Sequence, residues 1–479
     1  MVKTPHPGKF SLTLASVAII ALSGCGPQSP TTTQAPQNSV PTAPAAPTTP
    51  KSATPNSFDD VTAQLDSGGD LYFYLNTAQF LAKLTDHVDT FHDALLSGSN
   101  SGMSDDDRAQ AEKAFAVAKD AITKSGIEDA TGLGISSFAL QPGFFRNKFF
   151  LHHYPDKGTG ILWNLYGKDT HSLDGLDFMP ADSGLASVGD FDLPLLINFL
   201  RQEAGQFPEA QQTITQWQTQ FAGITGLQLD DVLNSLNGSL GMVLTLDGTS
   251  TITIPAQSPS QSPQTIPTPR LALLIAVKSD LIFKQIDKTV GANPSVIKAD
   301  EPGLSMRTMA VPSPIEGLTL RPTVAQWNGF LVIASDDKLI RDMIAVQKGG
   351  PGLKSTSEFT TLSAGMPDKG NSFAFFSQRL ADTIHDYQIK MLAGETGAGN
   401  PQTAAMQKLL TEYQNAAHVY GVSVRLPNGI LSVSQGSQSS GQIIAPMIAV
   451  PAILAGVGLP AFSAARHHAE QTPPASSTP

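Results

Sequence analysis

The sequence predicts an α+β body of repeated strand–helix units with mostly antiparallel sheets, arranged as two similar halves. A disordered N-terminal tether precedes it and an apolar C-terminal helix follows. Three observations predict this fold class. Short aromatic and β-branched runs alternate with amphipathic stretches of helical period. A strand running into a helix begins near Asp70, Asp182, Arg270 and Asn371, each about 100 residues after the last. A second echo sets Gly126-Ile-Glu-Asp129, leading to a strand at Phe138-Ala-Leu140, beside Gly226 to Asp231, leading to Met242-Val-Leu244.

At the N-terminus, Lys3 and Lys9 precede an apolar run from Phe10 to Leu22. At about 13 residues the run suits a signal peptide (1–24) and falls short of the ~20 of a spanning helix. It closes on Leu22-Ser23-Gly24-Cys25, which resembles the bacterial lipobox. The resemblance implies that Cys25 is diacylated on sulfur, that the chain is cut before it, and that its new amino group is acylated. Such chains together anchor a protein stably, at about 0.8 kcal/mol per buried CH₂. Cys25 is the single cysteine, so once acylated it leaves no thiol for a disulfide or a metal. The expected location is the bacterial cell envelope, with the body outside the cytoplasm (periplasmic if Gram-negative).

Residues 25–57 read as a Pro/Thr-rich tether, with prolines from Pro27 to Pro55 and Lys51 as the only charge. That composition cannot bury a core and extends toward polyproline II, up to roughly 100 Å. The chain carries 30 Lys+Arg against 41 Asp+Glu, a net charge of −11. Loss of Lys3 and Lys9 with the signal makes the remainder more acidic. This balance excludes nucleic acid as a partner and polybasic adhesion to anionic lipid.

The first half spans 58–249. Asp70 to Asn76 is a strand by its aromatic, β-prone content, and Phe80, Leu84, Val88, Phe91 and Leu95 make the core stripe of the next helix. Ser104 opens a second helix, with Asp105, Asp106 and Asp107 where the dipole favours acids, and Gly126 closes it. Phe149 to Tyr154 and Ile161 to Tyr166 predict a hairpin about a turn at 155–160. Leu185 to Val188 is a strand and Leu193 to Phe199 a helix. Pro208 opens a glutamine-rich helix with Phe207, Ile214, Trp217 and Phe221 on one side. A short helix at 229–236 and a strand at 241–246 follow.

Residues 250–269, rich in Pro and Ser, read as a linker or loop between the halves. The second half, 270–440, repeats the theme. Strands are expected at 271–277, 330–334 and 373–376, and helices at 280–290, 335–346, 380–392 and 406–417. Strands 420–426 and 430–434 form a hairpin about Asn428-Gly429. Trp327-Asn-Gly-Phe-Leu-Val-Ile-Ala-Ser335, Ser357 to Leu362 and Ser372 to Phe376 resemble uncharacterised tandem-repeat envelope proteins, a domain of unknown function; the resemblance brings no activity with it.

Side chains able to do chemistry are scattered. Asp86, Asp89 and Asp93 lie opposite the apolar stripe of their helix, with His87 and His92 diverging on its flanks, which reads as a solvated acidic face. His152 and His153 are adjacent in a strand and point to opposite faces. Gly349 to Ser355 has the flavour of a phosphate loop but fails at Lys348 and Leu353, so it reads as a turn. The sequence contains neither Gly-x-Ser-x-Gly nor His-Glu-x-x-His. No catalytic, cofactor-binding or metal residue is assigned, and Cys25, as the lipidation site, is the one site residue.

Ile443 to Ala465 carries no charge, and its length of about 23 residues suits a bilayer span despite three prolines. We read 441–466 as a membrane helix, with Arg466 on the cytoplasmic side, and 467–479 as a polar tail. The expected function is a non-catalytic, membrane-anchored envelope lipoprotein with a binding or structural role. The membrane is a partner through Cys25 and residues 443–465, and an envelope protein or an apolar ligand is the other. The alternatives are a carrier of a lipid or other apolar ligand, which the aromatic strands at Tyr72–Tyr74, Phe144–Phe150 and Phe373–Phe376 motivate, and an exported hydrolase. An apolar cavity would favour the carrier, and a cleft of converging polar groups the enzyme.

Overall fold

Alternation of side-chain size along the strands sets the architecture, because successive residues of a strand face opposite ways. The computed structural model describes residues 56–96, 104–255, 263–311, 320–395 and 418–442. Cys25, the tether, the expected helix at 406–417 and segment 443–465 lie outside them.

In chain order, α1 (Ser57–Thr62) precedes β1 (Leu71–Asn76), α2 (Ala78–Leu81), α3 (Leu84–Leu96) and α4 (Asp105–Ser125). Strands β2 (Gly132–Gln141) and β3 (Phe144–His152) form a hairpin, followed by α5 (Ile161–Asn164), β4 (His171–Ser172) and β5 (Ser183–Asp190). Then come α6 (Leu193–Ala204), α7 (Pro208–Thr225), α8 (Leu229–Ser235), β6 (Leu236–Ile254), β7 (Gln264–Val277) and α9 (Leu281–Val290). A meander of β8 (Val296–Glu301), β9 (Leu304–Met309), β10 (Thr323–Trp327) and β11 (Phe330–Ala334) leads to α10 (Asp337–Gln347), α11 (Ser357–Ser363) and β12 (Lys369–Gly370). The described chain closes with β13 (Ser372–Phe376), α12 (Gln378–Glu395), β14 (Val419–Leu426) and β15 (Gly429–Gly436).

Thirteen strands form one sheet in the order β1-β2-β3-β15-β14-β13-β5-β6-β7-β11-β10-β9-β8, and β4 pairs with β12 apart from it. Every pairing is antiparallel. All four expected strand-to-helix junctions are present: β1 into α2, β5 into α6, β7 into α9 and β13 into α12. Three units share one connectivity, a strand, a helical crossing and then a hairpin beside that strand: β1/β2/β3, β5/β6/β7 and β13/β14/β15. The Gly126 and Gly226 echo marks equivalent points. Each glycine is the left-handed C-cap of the long helix in its unit, at φ 71°.

The two expected halves are not separate. Strands β13–β15 sit between β3 and β5 and pair with both, so the C-terminal unit knits the N-terminal units together. Within the expected linker or loop at 250–269, the residues up to Ile254 and from Gln264 onward are strand. Thr251 to Ile254 pair with Pro267 to Gln264, extending the β6–β7 hairpin past a bulge. Its alternating Thr and Ile residues outweigh its prolines, and proline is tolerated where a ladder is irregular. The expected strand at 161–166 is instead α5 and the turn after it. The partner of β3 is β2, through a tight turn at 142–143. The expected hairpin β14/β15 forms, but its two loop residues are Pro427 and Asn428, one position before the expected Asn428-Gly429 pair, since Gly429 already pairs with Leu426.

The main core lies on one face of the sheet. Phe373, Phe375, Tyr420, Val243, Leu274 and Trp327 meet Leu339, Ile340 and Met343 of α10, Phe359 and Leu362 of α11, and Phe178 and Met179 of the segment before β5. At the β1–β3 end the same face packs Phe150 against Val61 and Leu65, in and just after α1. The other face is covered only in part. Leu233 and Leu236, in and just after α8, and Phe283 of α9 meet Val277 and Leu331 there. Arg307 on β9 holds α9 down through Asp287, at 2.6 and 2.9 Å. Two expected core stripes are solvent-facing: Phe91 of α3 is 63% exposed and Trp217 of α7 is 52% exposed. Helix α3 packs on α4, and α7 on α6 and α8, rather than under a second layer, so periodicity alone misjudged their surroundings. No described helix is long and apolar enough to cross a membrane.

Candidate functional site

The partly covered face can be followed strand by strand from the register. One row runs Phe73, Ile135, Phe149, Ser432, Ser423, Ser372, Gly189, Leu240 from β1 to β6. The next runs Asn147, Ser434, Gly421, Ala374, Ser187, Met242, Leu273, Ile333 from β3 to β11. Over these two rows the four central strands β15, β14, β13 and β5 present serine, glycine and alanine, bounded along the strands by Arg425 and Ile430 at one end and by Val419, Phe376 and Leu185 at the other. Larger apolar residues stand on both sides, and Phe149 (37%), Met242 (37%), Leu273 (41%) and Ile333 (40%) are exposed. The result is a trough with a floor of small residues between apolar rims. Three strand spacings make that floor about 14 Å wide.

At one end α5 reaches over the trough and closes a pocket of about 330 Å³. Phe149, Leu151 and Ile430 line its sheet side, and Leu162, Trp163 and Tyr166 its roof. The roof is held by Trp163, whose Nε1–H donates to the Gly126 carbonyl at 2.6 Å. Gly126 itself lies so close to Gly160 that a Cβ there would meet the Gly160 Cα at 2.8 Å. The end of α4 and the start of α5 are thus packed backbone to backbone, which fixes where α5 overhangs.

Polar groups gather at the closed end. The Asn371 side chain accepts the Arg425 backbone N–H at 2.8 Å and donates to the Asp169 carbonyl (2.9 Å) and to Asp190 (3.1 Å). Asp190 also faces His171 Nε2 at 3.1 Å. Burial disfavours the His171 cation, but the Ser172 carbonyl and Asp190 outweigh it and raise its pKa. The Arg425 guanidinium lies over Trp163, 5.5 Å from the ring centroid. Its Nη1 is buried with no hydrogen-bond partner among the described residues, and no carboxylate there pairs with it. Burial lowers its pKa, yet arginine stays cationic in any protein setting.

The other sequence candidates are accounted for individually. Asp89 pairs with Lys119 at 2.7 Å, and Asp93 lies 3.0 Å from its neighbour His92. Among the described residues no group of three or more His, Cys, Asp and Glu is placed to hold a metal. His152 and His153 are both buried. His152 Nδ1 meets the Thr131 hydroxyl at 2.7 Å beneath α1, and His153 packs on Trp163 with ring centroids 4.6 Å apart. In the 349–355 segment Leu353 is fully buried and Lys354 pairs with Asp177 at 2.6 Å, a structural turn.

Sequence reasoning missed Arg425, Trp163, Asn371 and Asp190. One signal was available: Val422-Ser-Val-Arg425 places a cation on the small-residue side of an alternating strand. The roof was not legible, because α5 read as a strand. No family model, no curated protein and no solved structure matches this chain.

Proposed function

We propose that this chain is a lipid-anchored envelope protein whose body carries a lipid or other apolar ligand, without catalysis, on the trough of its sheet. The observation that carries this reading is the contrast in residue size along β15, β14, β13 and β5. Small residues floor the trough, exposed apolar residues rim it, and α5 roofs a pocket at its end. Apolar ligand sites are concave, mostly apolar and supplied with a few polar groups, as this one is. Against a hydrolase stands the commitment of the polar groups. His171 spends Nδ1 on the Ser172 carbonyl and Nε2 on Asp190, so neither nitrogen is free to activate a serine.

Attachment in this reading is through acylated Cys25, with 443–465 as a second membrane contact. The described body begins with α1 and ends at Gln442, and both points pack on β1–β3. Ser57 bonds the Thr131 carbonyl and Tyr74, while the Ser440 N–H donates to Asn147 at 2.8 Å. Tyr72, Phe73 and Leu75 of edge strand β1 are exposed at the same end. A bilayer at that end would lie beside the apolar row that leads through Phe149 into the trough.

The test is extraction and mass spectrometry of full-length protein isolated from membranes. We expect an apolar molecule in near-equal amount with the chain, beyond the acyl groups of Cys25. A Ser372→Leu/Ser432→Leu variant, which fills the floor, should lose it and keep its acylation. Retention by that variant, or absence of such a molecule from the wild type, would refute the carrier reading. Replacing residues 1–25 with an ordinary cleavable secretory signal tests the second contact: retention in the membrane after carbonate extraction supports it, and recovery in the soluble fraction removes it.

A further inference from the structure

Arg425 has a setting that sheet packing does not require. It projects from β14 on the trough face, directly across from Ile430 of β15, which in turn pairs with Leu151 of β3. Its neighbours in the pocket are therefore Ile430 on one side and the Trp163 ring on the other, with Ser423, Asn371 and the Asp190 carboxylate also in the lining. Three other arginines of the body meet acids, Arg270 with Asp247, Arg307 with Asp287 and Asp300, and Arg321 with Asp337, while Arg146 shares with Arg425 a buried nitrogen without a partner among the described residues. The acids nearest the pocket are already committed, Asp190 to His171 and Asn371, and Asp129 to the Gly158 N–H. Arg425 keeps part of its surface in water, but its Nη1 is buried, and a buried donor without an acceptor is unfavourable unless something bound supplies one. Stacking on Trp163 offsets part of that cost, but it leaves the buried Nη1 hydrogens without an acceptor.

We propose that Arg425 is the headgroup site of the trough, so that the ligand is an anionic amphiphile with a phosphate or carboxylate head. The guanidinium offers paired N–H donors to two oxygens of such a head. Ser423 and Ser432, joined at 2.9 Å on the floor beside it, present further hydroxyls. The tail follows Phe149 away from α5 along the small-residue floor. This inference rests on the carrier reading and names the chemistry of its ligand.

The experiment uses the full mature acylated chain in phosphatidylcholine nanodiscs, with empty nanodiscs as reference, read by tryptophan fluorescence because Trp163 roofs the site. The probes are octyl phosphate, octanol and inorganic phosphate. We expect octyl phosphate to bind about tenfold or more tighter than octanol, as charge-assisted pairing predicts. The ratio should collapse toward one in Arg425→Gln and recover in part in Arg425→Lys. The wild-type ratio needs no variant, so a misfolded Arg425→Gln would not rescue the idea. Equal affinity of octyl phosphate and octanol for the wild type would overturn the headgroup inference and leave the carrier standing. Binding of neither would defeat both. Inorganic phosphate as tight as octyl phosphate would make this an ion site and overturn the amphiphile.

Discussion

Strands β13, β14 and β15 build two unlike surfaces. Toward α10 and α11, β13 presents Phe373 and Phe375, β14 presents Tyr420 and Val422, and β15 presents Val433, all buried. Toward the trough the intervening residues are Ser372 and Ala374, Gly421 and Ser423, Ser432 and Ser434. Both surfaces come from one backbone geometry, and only the choice of side chain differs. The large face excludes water by interdigitation and stabilises the fold. The small face cannot, since serine and glycine bury little apolar area, and it is the face on which the proposed function places the ligand. The comparison teaches that a strand here spends one face on stability and the other on shape.

The comparison can be broken most directly at Phe373. Phe373→Ala should cost about 3–5 kcal/mol, because the surrounding core relaxes only in part around the cavity. Guanidinium unfolding followed by circular dichroism measures it, and a loss under about 1 kcal/mol would mean this face is not the stabilising one. Next in size is Asn371→Ala. Removing a buried side chain with three partners should cost about 1–3 kcal/mol. It should also weaken ligand retention, since Asn371 fixes the β14 backbone at Arg425.

A smaller effect is expected from pH. Burial lowers the pKa of His152, beneath α1, and of His153, against Trp163, one on each side of the strand end. Below about pH 6.5 the unfolded chain then binds more protons than the native one. Stability should therefore hold near pH 7.5 and fall as the pH drops through 6.5 toward the lowered native values. Melting temperature against pH checks this in wild type and in His152→Gln/His153→Gln. An unchanged slope in the double variant would assign the acid sensitivity elsewhere. The smallest effect belongs to the trough rim: Met242→Ala and Leu273→Ala should each change stability by less than about 1 kcal/mol while lowering the yield of extracted ligand. A loss comparable to that of Phe373→Ala would show the rim to be core.

Much of the fold was legible in the residues. The alternation in Ser372-Phe-Ala-Phe-Phe376, the Pro-Asn-Gly turn before Ile430, the Ser104 and Gly126 caps and the four strand-to-helix junctions are local signals, each set by backbone sterics or by one side chain's hydrogen bond. The short apolar run at 161–164 was ambiguous, because four residues cannot display a helical period. Nor could the stripe of α3 tell what it would face.

The sequence by itself therefore determined the class of each long element, the α+β character, the acidic charge and the single cysteine just after the apolar run from Phe10 to Leu22. Tertiary structure alone decided the sheet order, which sets β13–β15 between β3 and β5 and abolishes the two halves. It also decided which side of each strand is covered, and it brought Arg425, Trp163, Asn371 and Asp190 together from positions up to 262 residues apart. The physical reason is the range of the interactions. Caps, turns and periodicity act within a few residues, whereas strand order and the burial of an unpaired cation depend on contacts that exist only once distant segments have met.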